Sequence, residues 1–275
     1  MKKVNVGIIG AGNMGEAIIK GLQVRDDFCI YVYERNEARL KKISKKYGVK
    51  KSTLKQLTKL SKIIIICVKP QDMDNLLLDM KDEVTDAQVL ISIAAGITTA
   101  HIEKLIKKNT AVIRVMPNLP GMVGRGLSAY CLGKYAGKSI FRYKKTVEKL
   151  FSGLGVVLRI KESRMNAMTA LSGSGPGFMA YFINALQEAA VDIGFNKIEA
   201  RFICLNVSAG TANMLLEANT DPAELIKRVA SAGGTTEAGL KELTKGKIKE
   251  TVKRTIRAAA NRAKELSFTP LETRV

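Results

Sequence analysis

Two short loops in the second half of the chain combine glycine with hydroxyl side chains. They are the segments 171–176 (LSGSGP) and 231–236 (SAGGTT), and each opens a predicted helix. The first backbone N–H groups of a helix have no partner inside it, and they bind carboxylates and phosphates. The two loops therefore predict a binding site for a small anionic substrate.

A third glycine-rich segment, GAGNMG at 10–15, has the spacing of a dinucleotide-binding loop. It follows the apolar segment 4–9 directly and precedes apolar residues at helical spacing. The first glycine of this motif allows a tight turn, the second lets a pyrophosphate approach the backbone, and the third lets the helix pack on the strand. This order of strand, loop and helix predicts that a nucleotide binds here.

Few other side chains suit nucleophilic, acid–base or metal chemistry. His101 is the only histidine, and it precedes a polar helical pattern, which is typical of a capping or solvated residue. Without a cluster of histidine, cysteine and carboxylate residues, no metal site is predicted. Reduction of a carbon–nitrogen double bond needs less, namely a positioned hydride donor, a site for the substrate anion and a hydroxyl near the nitrogen.

The first half of the chain contains the elements that must position the nucleotide. Apolar strand patterns alternate there with helical patterns: the strands are 4–9, 29–33, 63–68, 89–94 and 112–116, and the helices begin near residues 37, 52, 71 and 99. This alternation predicts an α/β fold with a Rossmann-like, doubly wound parallel sheet. The loops 68–70, 94–96 and 117–120 follow strands, so we expect them at the ligand-binding edge of the sheet.

Glu34 and Arg35 lie where the second strand ends, at the position that selects between nicotinamide cofactors. A carboxylate there accepts hydrogen bonds from both ribose hydroxyls of NADH and repels a 2′-phosphate. A guanidinium there favours NADPH instead. Because the chain carries both residues, the sequence leaves the choice between NADPH and NADH open.

From about residue 163 onward, the sequence pattern is helical. The predicted helices include 174–194, 198–218 and 247–266, and the first two are apolar on more than one face. Such helices must bury both faces, and a domain this small has too little interior for them. We therefore expect an all-helical dimerisation domain in a homo-oligomer. The predicted division is a dinucleotide-binding domain at 1–162, a dimerisation and substrate-binding domain at 163–270, and a tail at 271–275.

The composition bears on partners and location. The formal net charge is +20, but the basic residues are spread along the chain and are not interleaved with aromatic residues, which argues against a nucleic-acid site. No signal-peptide pattern follows Met1, and the longest apolar run, 63–68, is too short to span a bilayer. The four cysteines are scattered, as is typical of reduced residues in a cytoplasmic protein. We expect no membrane or nucleic-acid partner.

Taken in order, the motifs resemble those of the pyrroline-5-carboxylate reductases, up to about residue 267. The matching segments are GIIGAGNMG at 7–15, VKPQ at 68–71, SIAAG at 92–96, RVMPN at 114–118, LSGSGP at 171–176 and SAGGTT at 231–236. The resemblance implies that a hydride passes from NADPH or NADH to the imine carbon of 1-pyrroline-5-carboxylate. The product would be L-proline, in the last step of proline biosynthesis.

The resemblance also implies roles for individual residues. Thr236 is implied as the catalytic residue, because its hydroxyl would lie toward the ring nitrogen, and Glu162 as a carboxylate that favours an iminium. The implied substrate-binding residues are Glu162, Ser231, Gly233, Gly234, Thr235 and Thr236. The expected cofactor-binding residues are Gly10, Ala11, Gly12, Asn13, Met14, Glu34, Arg35, Val68, Lys69, Pro70, Ala94, Ala95 and Asn118. No metal is expected.

Several positions depart from the family pattern. Ala232 stands where proline is usual, and Leu119 stands where threonine is frequent. These departures concern substrate affinity and cofactor choice more than the class of reaction. Two alternatives remain open at this point, a reductase of a related cyclic imine and a non-catalytic Rossmann protein that binds a nucleotide. A β-hydroxyacid dehydrogenase would want a catalytic lysine in the first glycine-rich helix, and the segment 171–179 contains none.

Overall fold

The computed structural model of the chain describes residues 3–268. The chain forms two compact units, one made of residues 3–173 and 259–268 and the other of residues 174–258. The functional division at residues 162 and 163 stays a prediction. The tail predicted at 271–275 lies outside the described residues.

An eight-stranded sheet forms the centre of the first unit. Its strands are β1 (Val4–Ile9), β2 (Phe28–Tyr33), β3 (Lys50–Lys51), β4 (Ile63–Ile66), β5 (Val89–Ser92), β6 (Ala111–Met116), β7 (Gly126–Leu132) and β8 (Gly155–Arg159). They lie in the order β3-β2-β1-β4-β5-β6-β7-β8. The pairs among β1 to β6 are all parallel, which confirms the predicted Rossmann-like sheet.

The far edge of the sheet differs from the prediction. Strand β7 pairs with β6 in the antiparallel direction, and β8 then pairs with β7 in parallel. Sequence reasoning did not identify β3, β7 or β8. Strand β3 has only two residues, too few for a periodic pattern. The direction of β7 follows from the tight 3₁₀ turn at Leu119–Val123, which returns the chain beside the strand it has just left.

Helices cover both faces of this sheet. They are α1 (Asn13–Gln23), α2 (Glu37–Tyr47), α3 (Leu54–Leu60), α4 (Met73–Met80), α5 (Thr99–Ile106), α6 (Ile140–Phe151) and the short α7 (Met165–Met168). The four isoleucines of β4 show why a continuous apolar run forms a strand here. Ile63 and Ile65 pack into one apolar cluster with α1 and α6, whereas Ile64 and Ile66 pack into the opposite cluster with α4 and α5. Alternate side chains of a strand point to opposite faces, so burial of both faces requires apolar residues throughout.

The second unit is helical, as the sequence predicts. It contains α8 (Gly175–Asp192), α9 (Lys197–Glu217), α10 (Pro222–Val229), α11 (Thr235–Lys245) and the first half of α12 (Ile248–Phe268). Large apolar side chains on α8 and α9 are exposed in the single chain, including Tyr181, Leu186 and Phe202. Exposed apolar surface of this extent is typical of a protein interface. Among residues 3–268, no helix combines the length and the apolar character that crossing a membrane requires.

Candidate active site

The glycine loop joins β1 to α1 at the carboxyl edge of the sheet. Gly10 has a φ of 92°, and a Cβ built on it would lie 2.8 Å from the Cys67 carbonyl oxygen, so only glycine fits the turn. A Cβ on Gly15 would lie 2.2 Å from the Gly10 carbonyl oxygen, so α1 packs directly on the loop. Gly12 caps α1 in an extended conformation without a side-chain hydrogen bond, and nothing lies within 4 Å of where its Cβ would be. The open position is the one that a pyrophosphate needs.

A cavity of about 460 Å³ lies in front of this loop. Its lining brings together predicted cofactor residues from three separate segments of the chain, namely Gly10, Gly12, Glu34, Arg35, Val68 and Lys69. Sequence reasoning missed Tyr33, Arg39 and Asp72, which line the same cavity. Arg39 lies in the first turn of α2, which directly follows the end of β2, and that place is the signal that could have identified it.

The other predicted cofactor residues do not line this cavity. They are Ala11, Asn13, Met14, Pro70, Ala94, Ala95 and Asn118. Asn118 connects the helical turn Thr169–Gly173 to strand β7, because its amide NH₂ donates to the Ser172 hydroxyl at 3.1 Å and its oxygen accepts from the Leu127 N–H at 2.8 Å. The Asn118 side chain thus ties the LSGSGP segment to the end of the sheet.

Both oxygens of the Glu34 carboxylate accept hydrogen bonds from the chain itself. One accepts from the Ala11 N–H at 2.8 Å and the other from the Asn36 N–H at 3.0 Å. The Arg39 guanidinium lies 3.7 Å from the same carboxylate, whose side chain is only 11% exposed. Glu34 therefore stabilises the glycine loop from the position where the sequence predicted a ribose contact.

Arg35 forms an ion pair that sequence reasoning did not identify. Its guanidinium lies 3.1 Å from the carboxylate of Asp72, in the 3₁₀ turn at Pro70–Asp72 that follows β4. The Arg35 side chain is 63% exposed and that of Asp72 is 36% exposed. This pair connects the loops after β2 and β4 at the mouth of the cavity.

Glu162 occupies a different environment within the first unit. Its carboxylate accepts hydrogen bonds from the N–H of Thr99, at 2.8 Å, and from the Thr99 hydroxyl, at the start of α5. It also lies 3.6 Å from the guanidinium of Arg114, a buried residue of β6. The Nη2 atom of Arg114 is buried and has no hydrogen-bond partner among the described residues. Glu162 thus supplies the negative charge that this buried cation faces.

The same cluster affects a neighbouring thiol. Burial, and then the Glu162 carboxylate, raise the pKa of Cys131 to about 12, although Arg114 acts in the opposite direction. Cys131 and Glu162 also line a second cavity of about 750 Å³, together with Arg159, Lys161 and Arg164.

The SAGGTT loop lies in the helical unit and precedes α11. Gly234 caps this helix without a side-chain hydrogen bond, and its N–H donates to the Ser231 carbonyl oxygen at 3.0 Å. The N–H groups of Thr235 and Thr236 form the first turn of the helix. Across residues 3–268, no acceptor for those two N–H groups is present.

The N–H of Gly233 in this loop already binds a carboxylate. It donates to Glu237, one turn into α11, at 2.6 Å. The Lys241 ammonium lies 3.0 Å from the same side chain. Lys241, and then the Gly233 N–H, hold the pKa of Glu237 below its usual value. One of the expected substrate contacts is therefore taken by an internal anion.

Side chains that could hold a metal are dispersed. Within residues 3–268, no three histidine, cysteine, aspartate or glutamate side chains lie close enough together to bind one ion.

Two family models match the chain. The model described as pyrroline-5-carboxylate reductase dimerisation covers residues 162–266, and one described as NADP oxidoreductase, coenzyme F420-dependent, covers residues 5–96. The first match includes the helical unit, and the second includes the glycine loop and the loops after β2, β4 and β5.

Similar proteins extend over nearly the whole chain. Pyrroline-5-carboxylate reductase 1 of Bacillus subtilis is 34% identical over 268 residues, which covers 95% of this chain and 89% of that protein. Pyrroline-5-carboxylate reductase of Methanosarcina acetivorans is 34% identical over 270 residues and covers 97% and 99% of the two chains.

Solved structures agree with these relatives. The structure of a pyrroline-5-carboxylate reductase from Coxiella burnetii has a TM-score of 0.90 and 32% identity, covering 98% of this chain and all of that chain (100%). The Plasmodium falciparum pyrroline carboxylate reductase, solved with NADP bound, has a TM-score of 0.85 and 28% identity, covering 97% and 99%. The identity of 34% over nearly the whole chain, together with the matched dimerisation model, shows that this chain belongs to the pyrroline-5-carboxylate reductase family.

Proposed function

We propose that this chain reduces 1-pyrroline-5-carboxylate to L-proline, with NADPH or NADH as the electron donor. In this reaction a hydride adds to the imine carbon, the electron pair of the C=N bond moves to nitrogen, and a proton completes the amine. The observation that carries the proposal is the open glycine loop and its cavity of about 460 Å³ in a member of this family. A nicotinamide bound there would supply the hydride.

The described residues fit a dinucleotide. The free first turn of α1 at Gly12 offers backbone N–H groups and the positive end of a helix to a pyrophosphate. Glu34 and Arg35 are proposed to lie beside the adenosine ribose, and Val68 and Lys69 line the next part of the cavity. Pro70 begins the 3₁₀ turn that follows them, and its cofactor contact stays part of the proposal. For Ala94, Ala95 and Asn118, a place near the nicotinamide ring stays part of the proposal.

The SAGGTT loop is the proposed carboxylate site. The N–H of Thr235 would bind the substrate carboxylate, with Ser231 beside it. The N–H groups of Gly233 and Gly234 would join it once the carboxylate replaces their present acceptors, Glu237 and the Ser231 carbonyl. The Thr236 hydroxyl would hydrogen-bond the ring nitrogen. A threonine hydroxyl is a poor acid, so its contribution would be to orient the imine toward the hydride.

The electrostatics around Glu162 argue against the role implied for it, which is to favour an iminium by its negative charge. Its carboxylate faces Arg114 at 3.6 Å, and this cation offsets the negative charge that would stabilise an iminium. We therefore propose that Glu162 acts on the site mainly by fixing the start of α5, where Thr99 binds it.

The assembly and location follow from the same family. The match to a dimerisation family over residues 162–266, together with exposed apolar side chains on α8 and α9, supports oligomerisation through the helical domain. We propose a homodimer as the basic unit. A cytoplasmic location is proposed because all four cysteines are free, as a reducing compartment would keep them.

The test is the rate at which the chain oxidises NADPH and NADH in the presence of 1-pyrroline-5-carboxylate. Thr236→Ala is expected to lower kcat by about 10- to 100-fold, since an orienting contact is lost. Thr236→Ser keeps the hydroxyl and is expected to retain most of the activity. Thr244→Ala is a matched control on the same helix, because among residues 3–268 the Thr244 hydroxyl donates only to the Leu240 carbonyl of its own helix.

Two results would contradict the proposal. Turnover with other cyclic imines, but not with 1-pyrroline-5-carboxylate, would identify a reductase of a related substrate. Nucleotide binding without turnover of any imine would identify a non-catalytic Rossmann protein.

A further inference from the structure

Four charged residues form one side of the cofactor cavity, beside the end of β2. They are Glu34, Arg35, Arg39 and Asp72, and we call them the β2 rim. The rim consists of two ion pairs, Arg39 with Glu34 at 3.7 Å and Arg35 with Asp72 at 3.1 Å. The two pairs differ in how firmly the chain holds them.

The Glu34 pair is fixed by backbone hydrogen bonds. Each carboxylate oxygen accepts from an N–H group, at 2.8 and 3.0 Å, and the side chain is nearly buried. Breaking these contacts to bind a ribose would leave the Ala11 N–H of the glycine loop without its acceptor. Glu34 is therefore poorly placed to select against a 2′-phosphate by itself.

The Arg35 pair is exposed and open to competition. Among residues 3–268, neither side chain forms another ion pair or hydrogen bond, and exposed ion pairs of this kind are weak. A phosphate dianion binds a guanidinium more strongly than one carboxylate does, because it offers more charge and more acceptor atoms. A 2′-phosphate could thus replace Asp72 as the partner of Arg35.

The space for such a phosphate lies on the other side of Arg35. A cavity of about 570 Å³ borders the ends of β2 and β3, and Arg35 lines both this cavity and the glycine-loop cavity. Lys41, Lys51 and Ser52 line the cavity of about 570 Å³, whereas Asp72 lines only the glycine-loop cavity. Glu34 and Glu37 line the 570 Å³ cavity too, but with Arg35, Lys41 and Lys51 it has more basic than acidic side chains. Arg35 therefore lies between the Asp72 carboxylate and a cavity with a small excess of positive charge.

We infer that Asp72 is a specificity-determining residue, which competes with the 2′-phosphate of NADPH for Arg35 and so keeps NADH competitive as a cofactor. This inference rests on the proposed use of a nicotinamide dinucleotide by this site. Asp72 acts through Arg35, so it is a positioning residue. Its removal should change affinity for 2′-phosphorylated nucleotides and leave other nucleotides nearly unaffected.

The test is calorimetric binding of adenosine 2′,5′-bisphosphate and of ADP to the full chain. Asp72→Asn is expected to tighten binding of the bisphosphate about 3- to 10-fold and to change ADP binding less than about twofold. Arg35→Gln is expected to weaken the bisphosphate about tenfold. In the Arg35→Gln background, Asp72→Asn should have almost no further effect, because the residue through which it acts is gone.

Asp79→Asn is the matched control. Asp79 is an exposed residue of α4 and its replacement makes the same change in net charge, but it lines neither cavity and forms no ion pair with Arg35 among residues 3–268. Its effect on the bisphosphate should stay below about twofold. The ratio of kcat/KM for NADPH to that for NADH should rise in Asp72→Asn by the same factor as the binding ratio.

The outcomes separate this inference from the proposed function. An equal gain in Asp79→Asn, or a full gain in the Arg35→Gln background, would overturn it, because Asp72 would then act through its general charge. No selective change in Asp72→Asn would overturn it as well. If neither nucleotide binds the wild-type chain, the nucleotide site itself is refuted.

Discussion

Replacing Glu162 with glutamine should reduce the stability of the first unit. The substitution keeps the shape of the side chain and a carbonyl acceptor for the Thr99 N–H, but it removes the negative charge 3.6 Å from Arg114. Arg114 is 2% exposed, and its Nη2 already lacks a partner among the described residues. The variant therefore leaves a buried cation without a counter-charge.

The size of the effect follows from the exposure of the two partners. Breaking a buried ion pair costs about 3–5 kcal/mol. The Glu162 side chain is 29% exposed, so water compensates part of this loss, and we expect about 2 kcal/mol. For a chain of this size, that corresponds to a decrease in Tm of roughly 4–8 °C.

The assay is thermal and urea unfolding at one fixed protein concentration, because oligomerisation makes Tm depend on concentration. Glu148→Gln removes a carboxylate from an exposed pair with Lys144 and serves as the control, with an expected cost below about 0.5 kcal/mol. Arg114→Met removes the buried cation. In that background Glu162→Gln should cost little, because the two side chains would no longer be coupled.

A Tm equal to that of Glu148→Gln would refute this reasoning. So would a full loss of stability in the Arg114→Met background. A large decrease in kcat without any decrease in Tm would instead indicate that Glu162 acts directly on the substrate.

Three further predictions concern the loops and the interface. Glu237→Gln should lower the KM for the substrate about two- to fivefold, since a competing anion is removed from the loop, while ADP binding stays unchanged. Because the pKa of Glu237 is lowered in the folded chain, its contribution to stability is complete above the ordinary value of 4.5 and is lost as pH falls through the folded-state pKa. Acid unfolding of the wild type and the variant will check this. Gly15→Ala should destabilise the fold by about 1–3 kcal/mol, because the added Cβ would clash with the Gly10 carbonyl oxygen. Gly12→Ala should cost less than about 1 kcal/mol but abolish ADP binding in calorimetry. Equal losses of stability in the two variants would contradict this prediction. Phe202→Glu should shift the chain toward monomer in size-exclusion chromatography, and Phe141→Glu, an exposed phenylalanine of the first unit, should not.

Much of the cofactor site could be predicted from local sequence. GAGNMG between an apolar strand and a helix predicts a tight turn, an open position for a pyrophosphate and a close helix–strand contact, because at each glycine a side chain would clash with nearby backbone or ligand. The alternation of strands and helices likewise predicts the parallel sheet and the edge at which its loops meet. Even the contact between Glu237 and the Gly233 N–H spans only one helical turn. A closer reading of that segment could have found it.

The partners of charged side chains could not be predicted in the same way. Arg35 and Asp72 are 37 residues apart, and Glu162 and Thr99 are 63 residues apart. Nothing in either local pattern marks the other residue. Local patterns likewise did not predict the antiparallel direction of β7 or the hydrogen bond from the Ala11 N–H to Glu34.

The sequence by itself determined the family, the order of the elements and the residues that could bind a dinucleotide and a small anion, because those properties depend on local backbone geometry and on periodic burial. Only the tertiary structure decided which charges neutralise one another, and hence which of the candidate side chains remain free for a ligand. Electrostatic pairing depends on distances of a few ångströms between segments that are remote in the chain, and the fold alone sets those distances.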